Sequence, residues 1–191
     1  MSRASDRAVV IGASAGGVQA LLALLPALPA DFPWPIFVVL HVPADRSNVL
    51  APLFEAKCGL KVKEAEDKET ARPGVVYFAP SDYHLLVEEN GDLALSSDEA
   101  INYSRPSIDV LFESAADAYG EGLIGIILTG ANNDGAAGLK AVHAAGGVAL
   151  VQDPAAAYAR AMPQAAYQAC NAALVLPLER IADYLKGLDR E

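Results

Sequence analysis

The sequence has 191 residues, 53% apolar and 20% charged, enough for one domain with a sizeable core and too few for two of ordinary size. A net charge of −10 and a pI near 4.7 argue against a nucleic-acid partner and against adsorption to anionic lipid. No apolar run is long enough to span a bilayer, residues 1–7 do not resemble a signal peptide, and two distant cysteines, Cys58 and Cys170, make no disulfide framework; the expected location is a reducing cytoplasm.

In chain order, Ala8-Val9-Val10-Ile11 opens a strand over residues 8–12. Gly12-Ala13-Ser14-Ala15-Gly16-Gly17 follows as a tight turn, and a leucine- and alanine-rich helix over 18–28, interrupted by Pro26, comes next. Ile36-Phe37-Val38-Val39-Leu40 reads as a buried strand within 35–41. Residues 48–57 read as a helix with Ser47 as N-cap, 60–65 as a third strand and 75–79 as a short fourth. Strands 83–87 and 93–96 flank Asn90-Gly91, a hairpin signal. The second half continues with a helix over 107–119, a strand over 123–129, a helix over 135–145 and a strand over 148–152. Helical stretches at 155–160 and 163–171, a strand at 174–176 and a helix to about Lys186 complete the chain. Strand–helix alternation predicts an α/β fold: a doubly wound, mostly parallel sheet flanked by helices, with an antiparallel β-hairpin at one edge.

Sites in such sheets lie beyond the carboxyl ends of the strands. The polar residues expected there are Ser14, His41, Ser81 and Asp82, Asp134 in Gly130-Ala131-Asn132-Asn133-Asp134-Gly135, and Gln152 with Asp153. That rim holds the inventory of a Ser-His-Asp hydrolase. The stretch around Ser14 also fits G-x-S-x-G, a nucleophile elbow, and a degraded dinucleotide loop. The dinucleotide reading lacks the acid expected at the end of the second strand, where Leu40-His41-Val42-Pro43 stands. The ordinary α/β-hydrolase order of Ser, acid, His is not met either. Each residue also has a plainer role: Ser14 as a turn or cap serine, Asp134 as the cap of the helix opened by Gly135, Asp153 as a turn residue before Pro154. His143 reads as a helix-surface histidine, whereas His84, in a hairpin able to fold over the rim, competes with His41. No C-x-x-C or H-E-x-x-H spacing marks a metal site.

Five ordered blocks carry a resemblance: GASAGG at 12–17, LHVP at 40–43, RPSID at 105–109, LTGANNDGAAG at 128–138, and QDP at 152–154 with MPQAA at 162–166. The chain from Val9 to about Leu185 resembles the catalytic domain of the CheB chemotaxis protein-glutamate methylesterases. The resemblance implies Ser14 as nucleophile, His41 as base and Asp134 as acid, with Asp153 structural. Backbone N–H groups near Ala15 and Ala131 would serve the oxyanion, and no cofactor or metal is needed. The implied reaction is hydrolysis of γ-glutamyl methyl esters on chemoreceptor cytoplasmic helices with release of methanol, and deamidation of receptor glutamines by the same chemistry. Four positions depart from the family pattern: Ala15 where threonine is common, Leu40 where glutamine often precedes the histidine, and Ala131-Asn132 where Met-Gly is common. The family's receiver domain has no counterpart before the first strand, so the expectation is one domain over 1–191 without internal phosphorylation control, leaving a separate or fused receiver domain as a partner. The competing readings are a non-catalytic receptor-binding or regulatory module of the same fold, and a hydrolase of a different ester.

Overall fold

The structure, a computed structural model, describes residues 5–188, without the side chain of Ser47. Among the described residues, nine strands and six α-helices follow one another along the chain. The strands are β1 (Ala8–Ala13), β2 (Ile36–Leu40), β3 (Lys61–Glu64), β4 (Val75–Phe78), β5 (His84–Val87), β6 (Leu93–Ser96), β7 (Leu123–Ile127), β8 (Val148–Gln152) and β9 (Leu174–Leu176). The helices are α1 (Gly17–Leu24), α2 (Leu50–Glu55), α3 (Ile108–Tyr119), α4 (Ala136–Ala144), α5 (Ala161–Ala169) and α6 (Leu178–Gly187). Seven strands form one parallel sheet in the order β3-β4-β2-β1-β7-β8-β9.

Strand alternation divides the core into two layers. Val9, Ile11 and Ala13 of β1 face the side packed by Leu21 and Leu24 of α1, Phe54 of α2 and Ile181 of α6. Ala8 and Val10 face Leu111 and Phe112 of α3, Leu139 of α4 and Met162 of α5. Both faces of β1 and β2 are therefore dry, which is why these strands are apolar at every position rather than at every second one. Each fully buried aliphatic or aromatic side chain there contributes roughly 1.5–3 kcal/mol.

Four local expectations change. The expected 18–28 helix ends at Leu24 and tightens into a 3₁₀ turn, Leu25–Ala27, because Pro26 has no N–H for the α-ladder. The segment Ala44–Val49 is 3₁₀, and Val49 rather than Ser47 holds the N-cap position of α2. The hairpin forms with His84 opposite Ser96, but as a separate two-stranded sheet packed on α3. Its outer partner is the loop after β3, where Lys68 N–H donates to Leu93 O at 2.7 Å and Leu93 N–H to Glu69 O at 2.8 Å. Residues 155–160 form turns, not a helix. Thr129 holds that segment, accepting the Ala159 N–H on its hydroxyl at 2.8 Å. No helix among the described residues is long and apolar enough to cross a membrane.

Candidate active site

The sheet reverses its winding at β1, whose neighbours are β2 and β7, and the crevice of a doubly wound sheet opens there. Ser14 and His41 are the next positions after the paired residues Ala13 and Leu40. His41 N–H donates to Ala13 O at 3.0 Å, and Ser14 N–H donates to Thr129 O at 2.9 Å. The three strand ends are thus laced together, and the serine and histidine stand side by side.

The glycines of the turn are required by close approach. Gly16 has φ +79°, and a β-carbon on it would lie 2.7 Å from Tyr158 Cβ. A β-carbon at Gly12 would strike Ile108, the first residue of α3, at 2.5 Å. That contact brings the start of α3 down onto the rim. Thr129 fixes the turn from the far side: its hydroxyl lies 2.9 Å from Ala15 O and 3.2 Å from Ala159 O. Its own N–H donates to Gln152 Oε1 at 2.9 Å.

Asp134 is fully buried and does not cap α4, the helix it precedes; Gly135 takes that position, at φ +98°. It caps α3 instead. Oδ2 accepts the Ile108 N–H at 2.7 Å; Oδ1 accepts the Asp109 N–H at 3.2 Å, the Ser107 hydroxyl at 2.9 Å and Asn102 Nδ2 at 3.0 Å. A carboxylate at a helix N-terminus meets both orphan N–H groups and the positive end of the helix dipole. Burial pushes its pKa up, but contacts from His41, Ile108, Asn102 and Asp109 outweigh burial and hold it below the ordinary carboxylate value. Asp134 is therefore ionised at neutral pH.

Asp109 returns the favour. It lies in the first turn of α3, and its Oδ1 accepts the N–H groups of Gly135 and Gly138 at 3.0 and 2.7 Å, at the start of α4. The two helices thus exchange carboxylates, and Asn102 Nδ2 bridges the pair, 2.7 Å from Asp109 Oδ2. Burial first, and the Asp134 charge as well, raise the Asp109 pKa.

His41 Nε2 lies 3.0 Å from Asp134 Oδ2, with the imidazole 14% exposed. The distance is that of a hydrogen bond, but the Nε2 hydrogen does not point at the oxygen, so the contact is bent. A carboxylate can only accept here, so Nε2 carries the proton and Nδ1 presents its lone pair. Facing Nδ1 at 3.4 Å is the Asn132 Nδ2. The orientation of that amide follows from its other end, since Asn132 Oδ1 accepts the Asp134 N–H at 3.0 Å. Of the three expected partners, His41 and Asp134 are in contact. Among the described residues no hydrogen bond joins the Ser14 hydroxyl to His41.

His84 is the structural histidine. Its Nε2 lies 2.9 Å from Glu99 O, its Nδ1 accepts the Ser107 N–H at 3.1 Å, and it is 2% exposed. Ser107 meets His84 through its backbone, while its hydroxyl is spent on Asp134 and is fully buried. This serine and histidine meet without pairing the hydroxyl to the imidazole, so the Ser107 oxygen is not poised to attack. Asp153 accepts the Ala155 N–H at 2.9 Å in the turn beyond Pro154, as expected. His143 lies exposed in the last turn of α4. Asp82 pairs with Arg105, whose Nη2 is 2.6 Å from its carboxylate.

Anion-binding capacity exists beside Ser14. Gly17 N–H donates to Ser14 O at 2.7 Å and Gly130 N–H to Ala159 O at 3.1 Å; among the described residues the N–H groups of Ala15 and Ala131 meet no acceptor. Both flank the strand ends where an oxyanion would form. A groove of about 210 Å³ adjoins His41, walled by Leu40, Val42, Leu50, Tyr103 and Pro106. No group of three or more His, Cys, Asp or Glu among the described residues is placed to hold a metal ion. Sequence reasoning missed the supports Asn102, Ser107, Asp109 and Thr129. Three of them lie inside the RPSID and LTG blocks, so the signal was present without a role attached.

Comparison with known proteins gives a consistent result. The family model for CheB methylesterase matches residues 9–185. A putative protein-glutamate methylesterase/protein-glutamine glutaminase of Leptospira interrogans is 48% identical over 183 residues, covering 96% of this chain and 95% of that protein. A protein-glutamate methylesterase/protein-glutamine glutaminase of Bordetella parapertussis is 41% identical over 94% of this chain, which spans 52% of the relative's length. The crystal structure of the Thermotoga maritima CheB methylesterase catalytic domain superimposes with a TM-score of 0.92 at 38% identity, covering 96% of this chain and 99% of that one.

Proposed function

The chain belongs to the CheB methylesterase family, and from that premise we propose that it is a protein-glutamate methylesterase using Ser14, His41 and Asp134. Its substrates are γ-glutamyl methyl esters on chemoreceptor cytoplasmic helices, and its place is the cytoplasm. The observation that carries the assignment is the His41–Asp134 contact at 3.0 Å, on the rim position next to Ser14. It leaves Nδ1 as the basic nitrogen on a ring held by an ionised carboxylate.

In the reaction Ser14 Oγ bonds to the ester carbonyl carbon while its proton passes to His41 Nδ1. Asp134 stabilises the resulting imidazolium, and the Ala15 and Ala131 N–H groups receive the oxyanion. Collapse expels methoxide, which takes the proton from His41 and departs as methanol. Water then repeats the cycle on the acyl-serine and frees the glutamate. A primary amide can follow the same course with ammonia leaving, and the relatives' names pair the two activities. A receiver domain, fused in a longer protein or separate, fits as the regulator.

The test is methanol release from methylated receptor. We expect Ser14→Ala to lose at least about 10⁴-fold in turnover and a serine-directed phosphonate to label Ser14 alone. Retained turnover in Ser14→Ala, with label on another serine, overturns the assignment.

A further inference from the structure

The groove beside His41 is walled on one side by a turn that carries a strained and wholly exposed aromatic. Ile101 N–H donates to Ser104 O at 3.0 Å and Ser104 N–H to Ile101 O at 2.9 Å, closing a two-residue turn. Asn102 and Tyr103 between them have φ of 52° and 62°. Two successive positive φ values define a type I′ turn, which favours Asn-Gly. Here a tyrosine stands in the glycine's place. A non-glycine side chain in that region is disfavoured, and such strain persists only where the surroundings enforce it.

The surroundings do enforce it. Asn102 Nδ2 is bonded to both Asp109 and Asp134, at 2.7 and 3.0 Å. On the outgoing side Arg105 donates to Ser97 O at 2.9 Å and binds Asp82. The turn is thus anchored to the carboxylate that holds His41, and Tyr103 projects from it at 105% relative exposure. Among the described residues its hydroxyl has no hydrogen bond and its ring no aromatic partner. Ile101, at 44%, extends the apolar surface. Burying Tyr103 inside the fold gains nothing here, so folding alone does not account for a bulky residue at a glycine position.

We propose that Tyr103 is a recognition residue for the protein substrate, packing against the receptor helix beside the ester while Asn102 keeps it in register with His41. This rests on the methylesterase reading above. An aromatic suits the task because it buries a large area at the cost of few torsions. Arg105, the guanidinium that lines the groove, is already paired with Asp82, and the other polar groups lining it, Ser81, Ser104 and His41, carry no fixed charge, so the groove accommodates a neutral ester.

The experiment compares wild type, Tyr103→Phe, Tyr103→Ala and Tyr103→Gly on methylated receptor and on p-nitrophenyl acetate, with thermal midpoints. Tyr167→Ala, altering an exposed tyrosine of α5, is the control. We expect the ratio of kcat/KM for receptor to kcat/KM for the small ester to fall about tenfold in the alanine and glycine variants, through KM for receptor. Phenylalanine should restore it. Tyr103→Gly should keep a thermal midpoint at or above wild type, since it relieves the left-handed strain while losing recognition. A purely structural tyrosine would lower stability and leave the ratio alone. Methanol release by wild type with an unchanged ratio in both variants overturns the role of Tyr103. No methanol release from receptor by wild type overturns the methylesterase reading and this proposal together.

Discussion

His41 and His84 both bear on the start of α3, and their surroundings separate the histidine proposed to react from a structural one. His84 is sealed, with a partner on each nitrogen and 2% exposure. His41 is 14% exposed, makes one bent contact with Asp134, and holds its other nitrogen against a long 3.4 Å neighbour. The serines divide the same way: Ser107 spends its hydroxyl on Asp134 inside the core, while Ser14 stands half-buried at a strand end. A saturated polar group stabilises; a group left with one unsatisfied valence at a solvent boundary can do chemistry.

The contrast is broken most severely at Asp134, which serves both sides. Asp134→Asn should reduce turnover by about 10⁴-fold, as loss of the orienting carboxylate does in a serine protease. It should also lower stability, because an amide turns an N–H₂ group toward the N–H groups of α3 or toward Asn102 and Ser107. A change that is purely catalytic at the end of a free loop becomes structural here. The pH dependence follows from the depressed Asp134 pKa: its contribution to stability is present above the unfolded value of about 3.9 and is lost as pH falls through the lower folded value. Asp109, raised by burial, runs the other way and loses its contribution as pH rises through its folded pKa. Denaturant titrations between pH 2 and pH 6 should therefore show a shallower acid slope in Asp134→Asn than in wild type; equal slopes would refute the ionised cap.

Ser107→Ala sharpens the comparison from the structural side. Removing a buried hydroxyl from a carboxylate should cost about 1–3 kcal/mol, read from denaturant midpoints, with turnover at a permissive temperature within tenfold of wild type. Abolished turnover in a folded Ser107→Ala protein would exchange the roles of the two serines. The smallest effect concerns Asn132. Its amide donates toward the nitrogen proposed to take the Ser14 proton, so Asn132→Gly should raise kcat about two- to tenfold, the worth of one neutral hydrogen bond. A fall in kcat would show that the amide orients His41 more than it competes for it.

Much of this was legible beforehand for a physical reason. Runs such as Ile36–Leu40 are apolar throughout because both faces are covered, so they announce a parallel sheet, and their ends locate Ser14 and His41. Pro26 announced the break after α1. What stayed hidden depends on pairings between distant segments. The periodicity of 128–138 says that a helix begins near Gly135, but not that Asp134 turns away to cap a helix 26 residues upstream. Composition around 155–160 favours helix, but Thr129 binds the Ala159 N–H and the Tyr158 β-carbon crowds Gly16, which holds the segment in turns. Asn90-Gly91 announces a hairpin without saying which sheet receives it. The turn at Asn102 and Tyr103 lacks the glycine that would have marked it.

The exchange of carboxylates between α3 and α4 also sets an order of events during synthesis. While the chain emerges from the ribosome, Ile108 and its neighbours leave first, and the first turn of α3 has no acid to meet its N–H groups until Asp134, 26 residues later, has been made. The start of α4 already has its acid waiting in Asp109. The earlier helix thus depends on the later loop, and the carboxylate that orients His41 reaches its place only as that helix is completed. A nascent chain cut short before Asp134 has a serine and a histidine but neither the acid nor the cap of α3.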